Sequence, residues 1–247
     1  ENADIAEGVS IGPYSIIGPD VSIGSETIIE SHVVITGRTT IGKQNHFYPF
    51  STIGESPQDM KYKGEDTELE IGDRNTIRES CTINKGTVQD TSVTRLGNDN
   101  WIMAYVHIAH DCQIGNNTVF ANNTTLGGHI EVGDYAIFGG FSGAHQFCKI
   151  GSHSFLGIYA GVAKDLPPYV IVTGQPAVPR GINIEGLKRR GFTTEQIRNI
   201  KNAYKLLYNS DLRLEEAQEK ISALDEVSNE LQVMLEFIQA STRGIIR

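Results

Sequence analysis

A period of six dominates the first two thirds of this chain. Aliphatic or aromatic residues stand at Ile5, Ile11, Ile17, Ile23, Ile29, Ile35, Ile41, Phe47 and Ile53. The pattern resumes at Ile71, Ile77 and Ile83, and again at Leu96, Ile102, Ile108, Ile114, Phe120, Leu126, Val132, Phe138, Ala144, Ile150, Leu156 and Val162. Six is a multiple of the strand period of two, so these side chains meet the same face in every unit. A helix would smear them around its surface. One hexad cannot bury its own apolar face, so the units must stack into a β-solenoid with the periodic residues inside. Glycine often follows the periodic residue, as in Ile11-Gly12, Ile23-Gly24 and Ile41-Gly42, and reads as the small residue of a tight corner. Glycine is abundant, at 26 residues against 8 prolines, in keeping with many turns rather than a Pro-rich linker. Two polar interruptions, 55–70 and 85–95, read as loops emerging from the coil.

The pattern stops after Val162, and Pro167-Pro168 closes the repeats. The expected division is a solenoid over 1–170 and a loop plus helical domain over 171–247. Thr193 and Gln196 have capping-box spacing, and Ile197, Ile200, Ala203, Tyr204 and Leu207 follow at helical intervals. Amphipathic stretches cover about 211–222 and 228–240, a helical unit suited to capping the open end of the solenoid. No apolar run of transmembrane length and no signal segment is present, so no transmembrane segment is expected and the chain reads as cytoplasmic. Cys81, Cys112 and Cys148 lack metal-site or CxxC spacing and read as free thiols of a reducing compartment. The net charge of −9 argues against nucleic acid as a partner. Within it, residues 164–205 carry eight basic and three acidic side chains, a local excess that attracts an anionic ligand or acidic partner, or forms a solvated helix face.

Four of the seven histidines, His107, His110, His129 and His145, fall within one short zone. His110 precedes Asp111 in HIAHDC, the pairing in which a carboxylate orients an imidazole that acts as general base toward a hydroxyl. With three hexads per coil, His110 and His129 lie about one coil apart and Gln146 about two from His110, a ladder along one edge. A backbone N–H at the Leu126-Gly127-Gly128 corner suits the oxyanion of a thioester under attack. Histidines on one edge also leave a zinc site open.

The hexads combine with QDMKYKGE (58–65), HIAHDC (107–112), AHQFC (144–148), NIEGLKRRGF (183–192) and STRGIIR (241–247). Together they make the chain resemble the UDP-N-acetylglucosamine 3-O-acyltransferase family, acyl-carrier-protein-dependent enzymes that begin lipid A biosynthesis. The resemblance implies a mainly β fold, a left-handed parallel β-helix followed by a small α-helical C-terminal domain. That hand runs against the usual crossover rule. It further implies a homotrimer with sites between subunits, UDP-N-acetylglucosamine and a 3-hydroxyacyl-acyl carrier protein as substrates, and neither cofactor nor metal. Carried over by motif, His110 is the general base beside Asp111, and Gly128 the oxyanion donor. Asp59 and Lys61 are loop contacts to sugar nucleotide or acyl group. His107, His129 and Gln146 meet the sugar and diphosphate, and Asn183, Glu185, Arg189 and Arg190 the nucleotide. His145 fits a packing role equally well. The basic segment 188–205 suits an acidic carrier protein. Ile158 stands where members accepting longer chains have a small residue, which implies a medium-length acyl donor.

Three other readings compete. The related N-acyltransferase carries an additional N-terminal domain, not expected here because the hexads begin at Ile5. A zinc hydratase on the same fold would hold metal, and a purely structural solenoid would be indifferent to loss of His110.

Overall fold

The computed structural model describes residues 2–224 and 228–247. Each coil contains three short strands, most of two residues, such as Ser10–Ile11 and Ile16–Ile17. Successive coils align in parallel register eighteen residues apart, with Ile5 beside Ile23, Ile108 beside Leu126 and Phe120 beside Phe138. The result is a parallel β-helix with three flat faces: sheets of eight, ten and eight strands. These are called faces A, B and C in the order the chain visits them from Asp4. From Ile23 onward the periodic side chains fill the interior, while Ile5 and Ile11 are exposed, and the Phe120 and Phe138 rings stack at 4.5 Å. The two interruptions leave the register intact. Ile41 pairs with Ile71, thirty residues on, and Ile71 with Leu96, twenty-five on. Twelve and seven extra residues are thus looped out.

The glycines after the periodic residues have a different cause from the expected corner. The left-handed corner residue is the third after each periodic one and is seldom glycine: Tyr14, His32, Asp111, His129, Tyr135 and Phe147 all have φ near +60°. The glycines instead allow one coil to lie against the next. A Cβ on Gly24 would come within 2.5 Å of the Gly42 carbonyl carbon, and one on Gly97 within 2.6 Å of the Gly115 oxygen. Close approach of backbones excludes a side chain at these positions.

A second ladder runs inside the solenoid. Asn75 Nδ2 donates to Asn45 Oδ1 at 3.0 Å, Asn100 Nδ2 to Asn75 Oδ1 at 2.9 Å, and Thr118 Oγ1 to Asn100 Oδ1 at 2.6 Å. The Thr118 N–H also donates to Asn100 Oδ1, at 2.8 Å. Asn100→Ala strands both Thr118 donors in the interior. We expect a loss of about 2 to 4 kcal/mol, read from chemical denaturation, since each buried unsatisfied group costs about 1–3 kcal/mol. A wild-type midpoint in this variant would contradict the ladder's role. The three cysteines are free and buried, and burial pushes the Cys81 and Cys112 thiols up to about 12 and that of Cys148 to about 11, which keeps them protonated and unreactive.

Beyond the last hexad, strand Val170–Thr173 joins face B in parallel to Phe155–Leu156 and pairs antiparallel with Val178–Ile182. Among the described residues four helices follow: α1 (Ile184–Arg189), α2 (Thr194–Tyr208), α3 (Leu214–Ser222) and α4 (Asn229–Gln239). The Thr193–Gln196 capping box opens α2, which buries Ile200, Ala203, Tyr204 and Leu207 and packs on the Val178–Ile182 strand. The C-terminal segment returns to the solenoid. The buried Asp165 carboxylate accepts from Ser241 Oγ at 2.6 Å, and Asp165 bridges to Ile245. No helix among the described residues is long and apolar enough to cross a membrane.

Candidate active site

The solenoid places two parallel columns at the corner between face C and face A. His110 and Gly128 belong to the first, one coil apart, with Gln146 a coil further on. Asp111, His129 and Phe147 form the second, each in the left-handed conformation. The ladder expected from coil spacing is therefore two adjacent columns, and the histidines of neighbouring columns meet across them. The His110 and His129 rings lie edge to face at 4.9 Å, and His129 stacks on Phe147 at 4.3 Å.

His110 Nδ1 lies 2.9 Å from Asp111 Oδ2, with Asp111 fully enclosed and the His110 side chain only 13% exposed. Burial pushes the Asp111 carboxyl up. Hydrogen bonds from His110 and from Thr87, with the His129 charge, outweigh it and hold the group below the usual carboxylate range. An ionised carboxylate only accepts, so His110 carries its proton on Nδ1 when neutral and leaves the Nε2 lone pair free. That lone pair belongs to the atom able to take a proton from a bound hydroxyl. Gly128 packs flat against the ring: a Cβ there would lie 2.5 Å from Cε1 and 2.7 Å from Nε2. Gly127 and His129 give their N–H groups to coil-to-coil carbonyls, whereas the Gly128 N–H has no acceptor among the described residues. A base and a free backbone donor thus adjoin.

His107 projects from face C one strand before the corner and is hydrogen-bonded to Thr82 Oγ1 at 2.7 Å. Burial, then the charge of His110, lowers its pKa and favours the neutral ring. Beyond it, Thr125, Gly143 and Gly161 stack in register, and the glycines leave a groove of about 620 Å³ on face C. Tyr159 and His145 line this groove, and Ile158 stands exposed beside Tyr159.

The remaining expected residues lie elsewhere on the chain. Asn183, Arg189 and Arg190 gather with Tyr135 and His153 around a small cavity of about 110 Å³ at the corner between faces A and B. Asn183 caps α1 by accepting from the Gly186 N–H, and its Nδ2 donates to the His153 carbonyl. Arg190 lies over the Tyr135 ring at 4.6 Å, and burial with the Arg190 charge lowers His153 to about 4. Glu185 is exposed and paired with Lys188 at 3.2 Å. Asp59 and Lys61 sit on the longer looped-out segment, where the Lys61 N–H donates to Asp59 Oδ1 at 2.9 Å. Among the described residues neither shares a hydrogen bond with the histidine cluster.

The other insertion, 85–95, was expected as a loop, but its contacts with Asp111 and His129 were not. Its residues reach the corner that holds the histidines directly. The Thr87 N–H donates to both Asp111 oxygens at 3.0 Å and its hydroxyl to Oδ2 at 2.6 Å. The Asp111 N–H donates to Thr94 Oγ1 at 2.8 Å, and His129 Nδ1 donates to Asp90 Oδ2 at 2.7 Å. The available signal was positional: the insertion ends one coil before HIAHDC and so must lie against it.

Stacked hexads with an oriented His–carboxylate pair, a bare glycine N–H and a smooth groove define an acyltransferase of the hexapeptide-repeat class. The bacterial transferase hexapeptide model matches residues 2–37 and 94–128, and the second-domain model of UDP-N-acetylglucosamine O-acyltransferase matches 165–246. Among curated proteins, the acyl-[acyl-carrier-protein]–UDP-N-acetylglucosamine O-acyltransferase of Thiobacillus denitrificans is 56% identical over 99% of this chain and 95% of its own length. That of Herminiimonas arsenicoxydans is 54% identical with the same coverage. Among solved structures, the UDP-N-acetylglucosamine acyltransferase of Francisella novicida superposes with a TM-score of 0.97 at 45% identity, covering 100% of this chain and 91% of its own. The Moraxella catarrhalis O-acyltransferase gives 0.98 at 45%, covering 100% and 96%. This chain belongs to the UDP-N-acetylglucosamine O-acyltransferase family.

Proposed function

We propose that this chain transfers a 3-hydroxyacyl group from acyl carrier protein to the 3-OH of UDP-N-acetylglucosamine, the first step of lipid A biosynthesis. The observation that carries the reading is the His110 Nδ1–Asp111 contact, which leaves Nε2 as the base beside the Gly128 N–H. Nε2 takes the hydroxyl proton as the sugar oxygen attacks the thioester carbonyl. The Gly128 N–H donates to the oxyanion of the tetrahedral intermediate. Collapse breaks the carbon–sulfur bond, and the imidazolium returns its proton to the departing sulfur. An ester and a free thiol result, with no net proton change.

His107, His129 and Gln146 hold the sugar and diphosphate in this reading. Asn183, Glu185, Arg189 and Arg190 hold the nucleotide, arginine being suited to bidentate contact with phosphate. Because that second group sits at a different corner of the same chain, a homotrimer joins it, with Asp59 and Lys61, to the histidines of a neighbour. The exposed Phe141–Tyr159 stack, 5.1 Å between centroids, supports a covered face of this kind. The local positive charge of 188–205 suits the acidic carrier protein. Location in the cytoplasm, where that carrier and the nucleotide sugar are available, is part of the same reading.

The face C groove takes the acyl chain, and Ile158 limits its length. Assay of purified protein with 3-hydroxyacyl carrier proteins of graded length is expected to show a medium-length optimum. Ile158→Gly is expected to move that optimum to longer donors, with at least a tenfold gain in their relative kcat/KM, about 1.4 kcal/mol and within what one or two methylenes in an apolar pocket contribute. An unchanged optimum would show that Ile158 does not limit the acyl chain.

A further inference from the structure

We infer that Asp90, from the 85–95 insertion, is a positioning residue: it holds His129 away from Asp111 so that Asp111 serves His110 alone. The inference rests on the reading of His110 as the base. Asp111 Oδ2 has two candidate imidazole partners. His110 Nδ1 is 2.9 Å away and His129 Nδ1 3.8 Å away, and the two rings touch edge to face. The His129 proton on Nδ1 goes instead to Asp90 Oδ2 at 2.7 Å. Phe147 stacks on the His129 ring at 4.3 Å and limits its tilt, and the same Nδ1 faces both carboxylates. The same insertion ties down the Asp111 carboxylate through Thr87, and Thr94, on the face A strand Val93–Leu96 that follows it, accepts the Asp111 N–H. One loop therefore places one carboxylate and supplies the other.

The titratable groups facing His110 are Asp111 on its own corner, His129 from the next coil and His107 on the preceding strand, with Asp90 acting through His129. Without the Asp90 charge, His129 moves toward Asp111. The carboxylate is then shared, so it orients His110 less well and stabilises its protonated form less. The His129 side chain is 8% exposed, whereas that of Asp90 is 42% exposed on a surface loop, so substitution at 90 leaves the fold intact.

The test compares Asp90→Asn and Asp90→Glu with wild type. In Asp90→Asn, kcat is expected to fall about 10- to 100-fold, the range for a misplaced catalytic group. KM for the sugar nucleotide should rise as well, because His129 is one of the groups placed on the sugar and diphosphate, and the acid limb of kcat/KM should move to lower pH. Asp90→Glu should restore most of the rate. A merely structural residue would lower the melting temperature without moving the pH limb. Nitrogen-15 spectra of the histidine rings supply a readout that needs no turnover: His110 should hold its proton on Nδ1 in wild type and lose that preference in Asp90→Asn. Unchanged His110 spectra and a wild-type pH limb in Asp90→Asn would overturn the inference. Altered spectra in a protein with no acyl transfer would keep the positioning role and sink the proposed reaction instead.

Discussion

His110→Ala is expected to lower kcat/KM for acyl transfer by about 10²- to 10⁴-fold, the usual contribution of a general base, while the melting temperature stays within a few degrees of wild type. The two effects separate because the residue that needs support is Asp111. Its carboxylate keeps the Thr87 N–H and hydroxyl as donors after the imidazole is gone, so no buried charge is abandoned. The lost side chain lies at the edge of the corner and carries little of the core. KM for the sugar nucleotide should change less than kcat, since the base acts in the transition state. Steady-state kinetics with thermal denaturation of the same preparation checks both parts. Retained activity would remove His110 from the chemistry.

The second large effect is expected at Gly128. Its Cα faces the His110 ring, and an added methyl would lie 2.5 Å from Cε1 and 3.0 Å from Nδ1. The imidazole is the movable partner, so Gly128→Ala pushes it off Asp111 rather than breaking the coil. The same methyl crowds the space from which the 128 N–H meets an oxyanion, a donor worth about 10²–10³ in kcat. We expect a loss of about 10³-fold. Because both substitutions disable one device, the double variant His110→Ala/Gly128→Ala should be little worse than either single one. Multiplying losses in the double variant would show that the two residues act independently.

The sequence made the fold legible because the constraint repeats. Every sixth residue from Ile23 to Ile53 is buried, while Ile5 and Ile11 in the first coil are exposed, and a one-residue error would have shown within two hexads. The histidine cluster was legible for the same reason: coil spacing converts His110, Gly128 and His129 from distant positions into neighbours. Two things were not legible. Glycine after the periodic residue serves a close coil-to-coil approach rather than the left-handed corner, and composition does not separate these. Only the backbone shows that the left-handed residues are Asp111 and His129, not Gly115 or Gly133. The role of Thr87, Asp90 and Thr94 was hidden because their partners lie 24, 39 and 17 residues along the chain and the insertion has no period to carry them. Strand Val178–Ile182 lies on face B without any hexad, its place set by pairing with Val170–Thr173.

The central claim concerns which bond is made, and product structure tests it most directly. Purified protein would be incubated with a medium-length 3-hydroxyacyl carrier protein and UDP-N-acetylglucosamine, and the product's acyl position read by NMR. The account predicts a single ester at the 3-oxygen of the sugar, with one free carrier thiol per ester formed. No product with this sugar, together with amide formation on its 3-amino analogue, would contradict it.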